Sequence, residues 1–321
     1  MITRLALYKS ASHEPYFNLA VEQHLLETVK PGQCILYLWQ NENTVVIGRN
    51  QNPWNECRTT LLAQEGGHLA RRLSGGGAVF QDLGNLNFTF LMPQEDFDIH
   101  RQLSVILRAL DSLNIHAERS GRNDILAQGR KFSGNAYYKN GRQAYHHGTL
   151  LVDADMEKLS RYLNPSRAKL ASKGVSSVRS RVVNLSELNP QITVERLSAA
   201  LVDSFSQVYG LPAQTLTDAD LNLTDINALA QRNRSWEWNY GQKLPFTGQW
   251  EARFPWGSIQ IQLQVESGII RQAKVYSDAM DWRIGPELEH LLPGCRLHPK
   301  ALRTRLEGTD LPAEEICQLF D

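Results

Sequence analysis

Arg71-Arg72-Leu73-Ser74-Gly75-Gly76-Gly77-Ala78-Val79-Phe80 sets two cations ahead of three consecutive glycines. Glycine admits positive φ and lets backbone approach a ligand closely. Successive exposed amides can form an anion-binding nest, and arginine can add bidentate charge. A flexible turn beside a charged surface strand accounts for the same residues, so both readings stay open on these grounds. No Gly-Lys-Ser or Gly-Lys-Thr closes the stretch, so it is not a Walker loop, nor does it match the dinucleotide fingerprint.

Upstream, Ser12 reads as a cap and Pro15 as the first turn of a helix carrying Phe17, Ala20, Val21, His24, Leu25 and Thr28 at helical spacing. Two short apolar runs, Cys34 to Trp39 and Thr44 to Ile47, read as strands of a sheet covered on its inner face. Downstream, a helix is expected from about Ile99 to Leu113 and a loop at Gly121-Arg122-Asn123-Asp124. Residues 130–138 and 145–152 read as a hairpin closed by Lys139-Asn140-Gly141-Arg142, since Asn-Gly is a strong hairpin signal. Helices are expected at Met156 to Leu163 and Thr193 to Tyr209. Gly241, Pro245 and Gly248 read as a linker. Beyond it, Ile259, Ile261, Leu263 and Val265 alternate with glutamines as in a half-buried strand. Gly268 is a turn before a second strand, Ile269 to Tyr276, and helical segments near Pro286 to Leu292 and Pro312 to Phe320 follow.

The length of 321 residues suits two domains, or one large domain with an appendage. Lys+Arg and Asp+Glu both total 34, a balance that argues against a general nucleic-acid binder and against polybasic membrane attachment. No apolar stretch reaches transmembrane length. The four cysteines, Cys34, Cys57, Cys295 and Cys317, form no CxxC pair, so no zinc cluster is suggested and a reducing cytoplasm is expected.

Three further segments could carry chemistry. In Gly129-Arg130-Lys131-Phe132-Ser133-Gly134, Lys131 either enters a pocket as a point charge for an anion or is an ordinary solvated lysine. In Tyr145-His146-His147-Gly148-Thr149, neighbouring strand histidines face opposite ways, which favours structural hydrogen bonding over a metal site. Ser172-Lys173-Gly174-Val175-Ser176-Ser177-Val178-Arg179-Ser180-Arg181 is basic and small; a loop closing over an anion and a solvated linker both fit.

Taken together these segments resemble the lipoate–protein ligase family of the bacterial A type. The resemblance rests on Arg71 to Phe80, Asp82-Leu83-Gly84-Asn85, Gly121 to Asp124, Lys131 to Gly134 and His146 to Leu151, in order. Asn50-Gln51-Asn52-Pro53-Trp54, Lys173 to Arg181 and Ser235-Trp236-Glu237-Trp238-Asn239-Tyr240-Gly241 extend it over about three quarters of the chain. It implies an α/β fold: a large mixed-sheet (α+β) catalytic domain of the biotin/lipoate ligase type at 1–244, and a small α+β accessory domain at 250–321. It also implies the reaction, in which lipoate and ATP give lipoyl-AMP and pyrophosphate before the lipoyl group passes to a lysine of an acceptor. Acceptors would be apo lipoyl domains of 2-oxo acid dehydrogenase complexes and the glycine-cleavage H protein. A monomer with no nucleic-acid or membrane partner is expected.

Carried over residue by residue, Arg72 and the amides of Gly77, Ala78, Val79 and Phe80 would hold ATP. Lys131 would be the catalytic residue, bridging the lipoate carboxyl and the α-phosphate. Leu19, Val46 and Val79, with Arg72 and Lys131, would bind lipoate, although core packing explains the three apolar residues equally well. Lys173, Gly174, Arg179 and Arg181 would fold over the adenylate. Asn123 and Asp124 would contact nucleotide or Mg2+, for which no dedicated protein motif is present. One departure stands out: Gln81 occupies a position where the family usually has histidine, and glutamine carries no proton or charge. A same-fold octanoyl or lipoyl transferase is disfavoured because no cysteine lies between Gly121 and Arg181. A biotin ligase is disfavoured by the glycine signature. A non-catalytic binder of lipoate or adenylate finds its only support in Gln81.

Overall fold

Arg4–Lys9 is buried along its middle and Gln33–Trp39 along nearly its whole length, the pattern of strands covered on both faces. In the computed structural model, which describes residues 1–121, 123–164, 182–241 and 246–320, these are β1 and β2. They are followed by β3 (Thr44–Ile47), β4 (His68–Arg71), β5 (Val79–Gln81), β6 (Asn85–Pro93), β7 (Glu118–Ser120) and β8 (Asp124–Ala127). Then come β9 (Arg130–Lys139), β10 (Gln143–Leu151) and β11 (Ala213–Thr215). The main sheet has eight strands in the order β11-β1-β2-β6-β10-β9-β8-β7, and β4-β3-β5 form a smaller one. β1 runs parallel to β2 and β11 and the remaining neighbours are antiparallel, so the main sheet is mixed, as expected.

Helices Ile99–Asp111 and Val194–Tyr209 cover one face, packing Val105, Ile106, Leu201 and Phe205 on Leu36, Phe88 and Phe90. Helices Pro15–Thr28 and Leu223–Arg234 cover the other, with Val21, Leu25 and Ile226 on Ile35, Tyr37 and Leu91. Each fully buried Leu or Phe in these layers contributes ~1.5–3 kcal/mol of transfer free energy. The single-faced sheet read from Cys34 to Ile47 is therefore corrected: β2 is covered on both sides, and β3 belongs to the smaller sheet. The first helix also starts differently. Pro15 fixes the first turn, so its neighbour Glu14 takes the cap position and accepts from Phe17 N at 2.6 Å, while Ser12 Oγ accepts from Glu14 N. The β9–β10 hairpin closes where Asn-Gly places it, with Asn140 Oδ1 accepting from Arg142 N and Gln143 N.

The C-terminal part builds its own core on an antiparallel sheet of β12 (Gly248–Phe254), β13 (Gly257–Glu266) and β14 (Ile269–Ser277). Ile259, Ile261 and Leu263 are buried as their alternation requires. Gly248 opens β12 rather than a linker; Pro245 lies outside the described residues. Helices Ile284–Leu291, Pro299–Leu306 and Ala313–Cys317 pack on this sheet. No helix among the described residues is long and apolar enough to cross a membrane.

Candidate active site

The two arginines of the glycine stretch are both buried, and both spend their donors on the protein. Arg71 donates to the carbonyls of Gly48, Arg49, Gln51, Trp238 and Asn239, and its own carbonyl accepts from Trp238 Nε1. It ties residues 48–51 to the helix Trp236–Tyr240, which explains why those distant segments belong to one pattern. As a free anion-binding cation Arg71 is corrected: it is a clamp. Arg72 donates to Ser74 Oγ, Val46 O, Gly75 O and Gly77 O, and so shapes the glycine loop from inside. Burial lowers both guanidinium pKa values to about 10, which leaves them charged at neutral pH. Of the loop amides, Gly76 N donates to Ala279 O at 2.9 Å, from the C-terminal part. Among the described residues, the amides of Gly77 and Ala78 donate to no protein carbonyl.

Lys131 reaches the same place by an irregularity. Between Ile125 and Leu126 the β8–β9 register slips, so that Leu126 opposes Lys131 while Ile125 opposes Ser133. Phe132 is the extra residue of this bulge, and a bulge re-aims the side chain next to it. Lys131 is thereby turned over Gly134, its Nζ 2.9 Å from where a Cβ on that glycine would stand. There Nζ meets Asp124 Oδ1 at 2.7 Å, in a pair whose side chains are 18% and 9% exposed. An ion pair so far withdrawn from water interacts much more strongly than a surface pair.

The histidines face opposite sides, as strand alternation requires. His147 Nδ1 lies 2.8 Å from Glu22 Oε1 and its Nε2 2.8 Å from Ser74 Oγ. This order resembles an acyl-transfer triad, but Ser74 is fully buried and accepts from Arg72 Nε, so the chain of contacts braces the glycine loop. His146 points the other way, with Nε2 2.9 Å from Asn135 Oδ1. Asn135 spends its amide N–H on Asn123 O and Ser133 Oγ, so His146 is the donor to Oδ1. Burial lowers the His146 pKa to about 3 from an ordinary 6.5. The folded state therefore resists a proton that the unfolded chain accepts, and stability present above the unfolded value is lost as pH falls from 6.5 towards 3. In urea titrations His146 is expected to make the unfolding free energy fall as pH drops through that window, by up to roughly 1 kcal/mol per pH unit. His146→Gln should flatten the slope, and an unchanged slope would assign it to other groups.

One cavity collects most of the residues expected from the sequence. Leu19, Val46, Arg72, Gly77, Ala78 and Val79 line one part of it, and Asn123, Asp124 and Lys131 another. Phe80 is not brought there: it packs with Tyr162, 5.5 Å between ring centroids, in the core behind β5. Lys173, Gly174, Arg179 and Arg181 lie outside the described residues, as does Arg122. No group of three or more metal-ligating side chains occurs among the described residues.

A family model of the lipoyl protein ligase A/B catalytic domain matches residues 14–206, more than half of the chain, and one of the bacterial lipoate protein ligase C-terminus matches 243–319. The chain belongs to the lipoyl protein ligase A/B family. Among solved structures, P. falciparum LipL1 in complex with lipoate shares 28% identity, with a TM-score of 0.86 over 98% of this chain and 97% of that one. A lipoate-protein ligase A bound with ATP is 26% identical, covering 75% of this chain and 99% of that chain, with a TM-score of 0.63. The bi-partite lipoate protein ligase of Thermoplasma acidophilum, studied with its E2 lipoyl domain, is 26% identical over 77% and 100% of the two chains, again at 0.63.

This lipoyl ligase family member also lines the cavity with residues that the sequence reading did not single out. Trp39, Asn87 and Thr149 come from adjacent strands of the main sheet, and Arg253, Trp256, Asp278 and Met280 come from the C-terminal part. Asn85, Asn87 and Thr89 alternate with Leu86, Phe88 and Phe90, which in an isolated strand marks a solvent face; here all six are buried. Gln81 also lines the cavity, accepting from Asn41 Nδ2 and donating to Asn87 Oδ1, each at 2.8 Å.

Proposed function

We propose that the protein is an ATP-dependent lipoate–protein ligase. It would activate lipoate to lipoyl-AMP with release of pyrophosphate, then pass the lipoyl group to a lysine of an acceptor lipoyl domain with release of AMP. The observation that carries this reading is the Lys131–Asp124 pair, held in a cavity beside the glycine loop. Attack of a carboxylate on the α-phosphorus brings two anions together, so the site must neutralise charge and fix direction. Lys131 would bridge both anions through separate ammonium hydrogens. The amides of Gly77 and Ala78 would take phosphate oxygens, and Arg72 would hold the loop in shape and add positive potential. Mg2+ arriving with phosphates needs only one or two carboxylates from a protein, and Asp124 with Asn123 fits that demand, the ion supplying charge neutralisation. Lys173 to Arg181 would cover the adenylate and shield it from water. Residues 1–244 would form the catalytic domain and 250–321 the accessory domain. The T. acidophilum ligase studied with its E2 lipoyl domain supports lipoyl domains as acceptors, those of 2-oxo acid dehydrogenase complexes and the H protein being the candidates.

The family also admits a second reading, acyl transfer through a cysteine thioester without ATP. No cysteine lines the cavity, all four are buried, and burial raises the Cys34 and Cys57 thiols to about 12. These are poor nucleophiles at neutral pH. Intact mass of an apo lipoyl domain, incubated with the protein and lipoate with or without ATP, separates the readings. An ATP-dependent gain of one lipoyl group is expected. A gain from supplied lipoyl-adenylate alone would restrict the protein to transfer, and no gain in either case would sink the ligase reading.

A further inference from the structure

The floor of the cavity is a row of residues crossing four strands. Lys131 Nζ lies over Gly134 of β9, whose amide donates to Thr149 Oγ1 of β10. Thr149 pairs with Asn87 of β6, and Asn87 pairs with Trp39 of β2. At the usual interstrand spacing, Asn87 lies about 10 Å from the lysine end and Trp39 about 14 Å. A medium-chain acid with its carboxylate on Lys131 would therefore lay its tail beside Asn87. Leu19, Val46 and Val79 give the rest of the slot its apolar surface.

The amide of Asn87 has only one way to point, and the reason lies outside the cavity. Asn18 Nδ2 donates to the backbone carbonyls of Ser12 and Gln40, which fixes its orientation. One of its two hydrogens is shared with Asn41 Oδ1, at 3.0 Å. Asn41 must then offer its nitrogen to Gln81 Oε1, and Gln81 its nitrogen to Asn87 Oδ1, each at 2.8 Å. Asn85 Nδ2 donates to the same oxygen at 3.0 Å. The relay occupies Asn87 Oδ1 from Gln81 and Asn85 and leaves Nδ2 as the free end of a side chain that lines the cavity. Asn87 is 1% exposed, and its Nδ2 has no hydrogen-bond partner among the described residues. A buried N–H group left unpaired is costly, so the slot favours a ligand that offers it an acceptor.

We propose that Asn87 is a specificity-determining residue of the acyl slot, and Gln81 the positioning residue that sets its polarity. Resting on the ligase reading above, the inference is that the Asn87 N–H group selects an acid with a weakly accepting tail, the disulfide ring of lipoate, over a saturated acid of similar length such as octanoate. Glutamine serves this purpose without charge: it accepts at one end and donates at the other. A neutral imidazole can do the same with its two nitrogens, so the departure from histidine at position 81 preserves the relay.

Titration calorimetry with lipoate and with octanoate tests this without requiring turnover. Because sulfur is a weak acceptor, the ratio of octanoate to lipoate dissociation constants is expected to fall about tenfold in Asn87→Leu. Asn87→Ser, smaller and easier to accommodate, should move the ratio the same way. Gln81→His should keep the wild-type ratio and Gln81→Leu should lose it, which a merely structural role for Gln81 does not require. A wild-type ratio retained in both Asn87 variants would overturn the proposal, and equal loss in both Gln81 variants would overturn the relay. Wild-type protein that binds neither acid would instead remove the ligase reading on which the inference rests.

Discussion

Lys131→Ala is expected to lower lipoate-dependent ATP–pyrophosphate exchange by about 1000-fold, near the upper range for loss of one preorganised donor at a developing charge. Two effects add. The ammonium that would hold the carboxylate against the α-phosphate is lost, and with it both neutralisation and direction. Asp124, only 9% exposed, also loses the cation 2.7 Å away, which leaves the site more negative where phosphates arrive. Lys131→Arg should recover little, because a planar fork cannot occupy the space over Gly134 that a compact ammonium fills. Asp124→Asn keeps the lysine but removes a carboxylate proposed to hold Mg2+, so it should lower exchange as well, by less than Lys131→Ala does. Exchange within tenfold of wild type in Lys131→Ala would show that Lys131 is a structural partner of Asp124 and not the bridge between substrates.

What the sequence could and could not reveal follows from the range of the forces involved. The Asn140-Gly141 turn, the alternation of Ile259 to Val265 and the opposed histidines are local, and each is legible within a few residues. The direction of Lys131 is not, because it depends on the bulge at Phe132. The arginines illustrate a different limit. Arg71 and Arg72 are suitable for an anion, but carbonyls from 46–51, 75–77 and 238–239 reach them first, and only the fold brings those carbonyls together. Asn87 reads as a surface residue until Gln81 and Asn41 are placed behind it. The sequence reading marked Gln81 only as an uncharged residue where the family usually has histidine. The structure puts its amide in a neutral relay between Asn41 and Asn87.

Gly75→Ala is expected to separate the two half-reactions, lowering adenylate formation about 100-fold while transfer from supplied lipoyl-adenylate changes only a few-fold. A Cβ on Gly75 would stand 2.2 Å from Ala279 O and 2.6 Å from Met280 O, both backbone atoms that no rotamer change can remove. The methyl group must therefore lift the C-terminal part or displace the loop. The same docking surface carries the Gly76 N to Ala279 O bond, Asn50 Nδ2 to Trp282 O at 2.5 Å, and the stacking of Tyr138 on Trp282 at 5.1 Å. It also brings Arg253, Asp278 and Met280 to the cavity. Activation needs the two anions aligned in a closed, low-dielectric site, and a shift of about 1 Å there is enough for a loss of this size. In the proposed reaction, transfer would start from an adenylate already made and an acceptor lysine would have to reach it, so an opened site should penalise that step less. Small-angle scattering should show a larger radius of gyration for the variant. Equal losses in both half-reactions would mean that the methyl group damages the glycine loop itself, and unchanged exchange would show that activation does not depend on docking at Gly75.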